Sequence, residues 1–126
     1  MLDGKDARQL LEGGWCLRSD RGAAIPIRLV IGDTELARAH LGVVVGRHPA
    51  LCDRTIDEIT VSRRHCRFST REERLYVEDL NSLNGTRLDE AELAPFDPTP
   101  VRAGQTLSLG RLVLAIGRLD GEGRDG

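Results

Sequence analysis

Apolar and polar positions alternate with a period of two through most of the chain's interior. From Ile25 to Ile31 the odd positions Ile25, Ile27, Leu29 and Ile31 are all large aliphatics, which sets them on one face of a strand. Pro26 falls near that strand's start, where a missing N–H is tolerated. Trp15-Cys16-Leu17-Arg18 is a shorter run of the same kind, and Val43-Val44-Val45 is another, closed by Gly46. Cys66 and Phe68 alternate with His65 and Arg67, and Leu75 and Val77 alternate with Tyr76 and Glu78, across a charged hairpin tip at Arg71-Glu72-Glu73. Leu107 and Leu109, then Leu112, Leu114 and Ile116, predict two last strands joined at Gly110-Arg111. Asp33 to Ala39 suits a helical turn or a long hairpin loop equally. Seven or more short strands separated by turn signals predict an all-β sandwich of two antiparallel sheets.

The pattern also sets the domain limits. Residues 1–14 hold one short helix-compatible stretch, Asp6 to Glu12, and are expected to form an N-terminal arm. Residues 15–116 form the domain, and the glycine-rich 117–126 reads as a flexible tail. At 126 residues the chain can bury one core without disulfides. Its three cysteines, Cys16, Cys52 and Cys66, form neither an even set nor a CxxC pair, as suits a reducing compartment. The Met1 end lacks a signal-peptide pattern and no apolar run reaches a membrane span, so a cytoplasmic protein with no membrane partner is expected.

Charge narrows the function classes. The net charge is −2, and seventeen of the eighteen basic residues are arginine. Between Val43 and Leu88 eight arginines face seven acidic residues, which makes no stripe for nucleic acid. Four scattered aromatics make no base-stacking platform. Cys52, His65 and Cys66 match no zinc spacing, so no metal or other cofactor is expected. Ser62 and His65 could suggest a nucleophile and base, but no nucleophile elbow surrounds the serine and no carboxylate is spaced for a triad, so no enzyme is expected either.

The polar residues of interest sit at strand ends in three loops: Gly46-Arg47, Ser62-Arg63-Arg64-His65, and Asp79-Leu80-Asn81-Ser82-Leu83-Asn84-Gly85-Thr86. A sandwich gathers loops at its ends, so the three can converge. In this order and spacing, with Arg102-Ala103-Gly104-Gln105 before the last hairpin, they resemble the forkhead-associated (FHA) domain family over about Trp15 to Ile116. The resemblance implies an eleven-stranded sandwich whose loops at one end bind phosphothreonine peptides, with no catalysis and no cofactor. It assigns phosphate contacts to Arg47, Ser62 and Arg63, a peptide main-chain contact to Asn84, and loop architecture to Gly46, His65, Gly85 and Thr86. Thr60 lies near where the family selects residues beyond the phosphothreonine. The family often carries a hydroxyl residue before the asparagine. Here Leu83 stands there, leaving its backbone N–H for the phosphate and implying a weaker grip.

The chemistry agrees with that assignment. A phosphothreonine carries close to two negative charges and three acceptor oxygens. An arginine fork, a compact hydroxyl and a second cation match it. The expected role is a monomeric signalling adaptor whose partner is a phosphothreonine-containing protein, a Ser/Thr kinase or its substrate. The alternative is a phosphate-independent protein-interaction module on the same fold.

Overall fold

A computed structural model describes residues 13–20, 23–24 and 26–120. Most of the arm and all of the tail beyond Asp120 lie outside the described residues. Those described form eleven strands: β1 (Gly14–Ser19), β2 (Arg28–Gly32), β3 (Val43–Gly46), β4 (Arg54–Thr55), β5 (Cys66–Arg71), β6 (Arg74–Asp79), β7 (Thr86–Leu88), β8 (Ala91–Glu92), β9 (Thr99–Pro100), β10 (Thr106–Leu109) and β11 (Leu112–Leu119). One short helix, α1 (Asp33–Arg38), follows β2.

Two sheets face each other, ordered β2-β1-β11-β10-β7-β8 and β4-β3-β5-β6-β9. Pairing is antiparallel except between β3 and β4, which run parallel. Register follows the period-two pattern, because opposed residues share a face. Leu17 lies between Leu29 and Ile116, Leu107 opposite Leu114, and Phe68 between Val43 and Val77, and all of these side chains are buried in one core. The hairpin tip between β5 and β6 is the two-residue turn Glu72-Glu73, both at positive φ (52° and 65°). Two left-handed residues match the right-handed twist of a tight hairpin, a geometry usually given to Asn-Gly.

Three features depart from the sequence pattern. Residues 33–38 are helical: Asp33 and Glu35 stand in the first turn, Arg38 in the last, and Leu36 is buried. Tertiary partners decide the matter. Arg118 forms a bidentate ion pair with Asp33 and lies over the Trp15 ring, while Arg54 reaches Glu35 at 2.5 Å and the Val30 carbonyl at 3.1 Å. Arg54 thereby ties β4 of one sheet to β2 of the other. The last strand runs three residues past Ile116, since Gly117, Arg118 and Leu119 keep their pairing with β1, and Leu119 is buried outside the cluster that holds Leu114 and Ile116. Finally, β4, β8 and β9 have two residues each, too few to show any period.

Phe68 is among the largest fully buried side chains and sits at the centre of its sheet. Phe68→Ala is expected to cost about 3–5 kcal/mol through lost burial and the cavity left behind. Urea unfolding of the two proteins measures it, and a loss under 1 kcal/mol would show that the core does not close around this ring.

Candidate functional site

The three loops meet at one end of the sandwich, and the ring of His65 joins them. His65 is fully buried. Its Nδ1 accepts the Ser62 backbone N–H at 3.0 Å, which places the ring proton on Nε2, from where it is donated to the Gly85 carbonyl at 2.9 Å. Its backbone N–H donates to the Val45 carbonyl and its carbonyl accepts from Leu80. One residue thus holds the end of β3, the β4–β5 loop and the β6–β7 loop. Burial pushes the imidazole below its ordinary value of 6.5, the Gly85 bond and the nearby Asp79 opposing this. The neutral ring is also what the geometry requires, since a proton on Nδ1 would point at the Ser62 N–H.

A second anchor lies behind the β6–β7 loop. The buried carboxylate of Asp79 accepts the Ser82 hydroxyl at 2.5 Å, the Thr86 hydroxyl at 2.6 Å and the Ser82 N–H at 3.1 Å. Burial raises the carboxyl, but these donors together with His65 outweigh it and hold Asp79 below the usual carboxylate range. The Ser82 hydroxyl in turn accepts the Gly85 N–H. Gly85 needs its positive φ of 87° for the loop to turn here. Gly46 is required for closeness instead: a Cβ on it would stand 2.3 Å from the Arg63 carbonyl oxygen. Gly46, His65, Gly85 and Thr86 therefore all sit within the loop framework.

On this framework Arg47, Ser62, Arg63 and Asn84 come together. Arg47 is exposed. Its backbone N–H bonds the Ser62 carbonyl, and its Nε donates to the Val61 carbonyl at 3.0 Å, aiming the terminal fork outward. Ser62 Oγ accepts the Leu83 N–H at 2.9 Å and keeps its own proton to donate. Arg63 is exposed and its side chain has no hydrogen-bond or ion-pair partner among the described residues, while its carbonyl accepts from His48 and from the Cys52 thiol. Asn84 Nδ2 donates to the Thr60 carbonyl at 2.9 Å, which fixes the amide and leaves Oδ1 to accept.

Two details differ from what the sequence suggests. The Leu83 N–H is engaged by Ser62 and so is not held ready for a phosphate. Thr60 is a brace: its hydroxyl donates to Glu58 and accepts the Arg111 N–H at 3.0 Å, and a Cβ on Gly110 would meet its carbonyl at 2.6 Å. The sequence placed Asp79 and Ser82 in the third loop without a role and gave no sign of Glu58. The Asp79-x-x-Ser82 spacing, a carboxylate capping a turn, was the available signal.

Ser62 and His65 are not a nucleophile and base, because the ring nitrogen facing Ser62 takes its backbone N–H rather than its hydroxyl. Burial raises the Cys52 and Cys66 thiols, and no metal-binding cluster of His, Cys, Asp or Glu stands among the described residues. No described helix is long and apolar enough to cross a membrane.

The FHA domain family model matches residues 43–110, from the first residue of β3 to the turn after β10. This chain belongs to the FHA domain family. It is similar to the FHA domain-containing protein FhaB of Mycolicibacterium smegmatis, 34% identical over 110 residues that cover 76% of this chain and 68% of that protein. The FHA domain of the CT664 protein from Chlamydia trachomatis superposes with a TM-score of 0.65 at 20% identity, covering 82% of this chain and 95% of that one. The MEK1 FHA domain, solved in complex with a HOP1 phosphothreonine peptide, gives 0.60 at 23% identity, covering 82% and 94%. At these identities the structural likeness is one of fold. The FHA domain described here is a non-catalytic module.

The His65 geometry has a pH consequence. A histidine whose folded pKa is depressed binds its proton more readily when unfolded, so stability is full above about pH 6.5 and falls as the pH drops below it. Asp79, held low, adds its own loss only below its ordinary 3.8. Thermal midpoints between pH 7.5 and 5 should therefore decline in this FHA domain and stay flatter in His65→Gln. Equal slopes in the two would refute a neutral, load-carrying ring.

Proposed function

We propose that this FHA domain is a phosphothreonine-dependent peptide-binding adaptor that works with a Ser/Thr kinase, its partner being the kinase or a substrate. Arg47, Ser62 and Arg63 take the phosphate, and Asn84 Oδ1 takes a peptide N–H beside it. The observation that carries this reading is a set of outward donors with no acceptor among the described residues: the end of the Arg47 fork, the Ser62 proton and the Arg63 guanidinium, held on a hydrogen-bonded loop framework. Charge-assisted bonds contribute about 1.5–3 kcal/mol each. Three of them, less the cost of ordering a flexible peptide, leave a net near −8 kcal/mol with help from flanking contacts, which is micromolar affinity. That strength suits a contact made and released with phosphorylation.

Titration with matched peptides carrying phosphothreonine, phosphoserine or threonine tests the reading, with only the first retained strongly. Equal retention of all three would overturn it. Arg47→Ala should weaken phosphopeptide binding by at least tenfold, one charge-assisted bond, while its single Nε bond limits the stability loss to about 1 kcal/mol.

Leu83 favours a second reading. It is 88% exposed where the family often has a hydroxyl, so the same loops would dock a protein without phosphate. Phosphatase treatment of the partner separates the two, since docking of that kind survives it.

A further inference from the structure

The outer face of the six-stranded sheet is unevenly buried. Alternation along β1 turns Trp15 and Leu17 towards the core and leaves Cys16 and Arg18 on the outside. Along β11 it turns Leu114 and Ile116 inward and leaves Val113, Ala115, Gly117 and Leu119 outside. Towards the recognition loops this face is open: Val113 is 52% exposed, and Arg18 and Ala115 are exposed too. At the other end Cys16 is 2% exposed and Leu119 0%, although both stand apart from the core cluster.

Strand neighbours do not account for that burial. Cys16 lies between Val30 and Gly117, and Leu119 opposite Gly14, so two of these three flanking positions carry no side chain. The described elements packed most closely on β1 and β11 are β2 and β10, in the same sheet, and α1. Helix α1 is on the inner side, since its Leu36 belongs to the core and it also meets β5 of the opposite sheet. A sheet face with nothing above it leaves an outward leucine in water. A further layer therefore covers this end, and because the burial is complete in the single chain, the chain itself supplies it.

Three parts of the chain lie outside the described residues. Residues 21, 22 and 25 follow Ser19, at the opposite end of β1 from Gly14 and roughly 17 Å from it. Residues 121–126 (GEGRDG) have no apolar side chain to offer Leu119. Residues 1–12 do, and they join β1 at the right place, because Gly14 is the residue opposite Leu119. On a helix over Asp6 to Glu12, Ala7, Leu10 and Leu11 fall on one face, with Arg8, Gln9 and Glu12 on the other. Gly13, at φ 87°, has the left-handed conformation that ends a helix and redirects the chain. Seven helical residues measure roughly 10 Å, the span of three strands about 4.8 Å apart, here β2, β1 and β11. So short a helix is unstable unless it is packed.

We infer that residues 6–12 form a helix docked on the outer face of β1 and β11, with Leu10 and Leu11 covering Cys16 and Leu119. The folded domain then begins before Trp15, and the arm is its third layer.

NMR of the intact chain tests this directly. Methyl NOEs are expected from Leu10 or Leu11 to Leu119 within one molecule. Leu119 NOEs confined to the sheet itself, or NOEs that a mixture of labelled and unlabelled protein shows to be intermolecular, would overturn the inference. A second measurement follows N-ethylmaleimide modification of each cysteine, located by peptide mass. The double variant Leu10→Ser, Leu11→Ser should raise the Cys16 rate about tenfold or more, while Cys66, buried in the core, keeps its rate. Gln9→Ser, Glu12→Ser, on the opposite helix face, should change neither. Cys16 equally protected in all three proteins would overturn the assignment of its cover to these leucines. A rise shared equally by Cys66 would mark a general opening of the sandwich and overturn the docked layer as a separate unit.

Discussion

The recognition end of this domain depends on a neutral imidazole that is buried and bonded on both nitrogens. His65 accepts from one loop and donates to another, while its own backbone is paired with β3 and with the start of the β6–β7 loop. A lysine or a glutamine in its place would lack either the acceptor or the rigid spacing between the two nitrogens. The cost of desolvating the ring is offset because both polar atoms are satisfied. Three loops that are far apart in sequence then behave as a single surface, and the exposed side chains on it can be changed without the frame giving way.

Asp79 does for one loop what His65 does between loops. A buried carboxylate without partners would be strongly destabilising, yet here two hydroxyls and a backbone N–H surround it. The division of labour is consistent: buried polar residues carry the architecture, and the arginines, Ser62 and Asn84 face outward on top of it. The net charge of −2 for the whole chain says nothing of this end, where Arg47, Arg63 and Arg64 are all exposed.

Much of this was legible beforehand, for identifiable reasons. Period-two alternation survives wherever a strand has four or more residues and one buried face, so β1, β2, β5, β6, β10 and β11 were visible, and β3, buried on both faces, was visible as an unbroken run of valines. In β4, β8 and β9, two residues leave no period, and their pairing is decided by neighbours such as Arg54 bridging to Val30 and Glu35. Residues 33–38 held a helix and a loop in balance locally, and ion pairs with Arg118 and Arg54 tipped it. At the site, the outward residues were readable as a spaced pattern. What could not be read was which polar groups were already spoken for. The Leu83 N–H and the Thr60 hydroxyl are both engaged by residues from other loops, a matter of three-dimensional proximity that no spacing records.

The pairing of Gly14 with Leu119 sets β1's first residue beside β11's last. β11 starts at the turn that touches Thr60 and runs eight residues away from it, roughly 26 Å. Any polypeptide joined before β1 and any joined after β11 therefore emerge side by side, at the pole remote from the loops. Pulling those two points apart would strain the β1–β11 zipper and spare the binding surface. A linker or a load applied at those two points therefore acts about one strand length away from the loop surface.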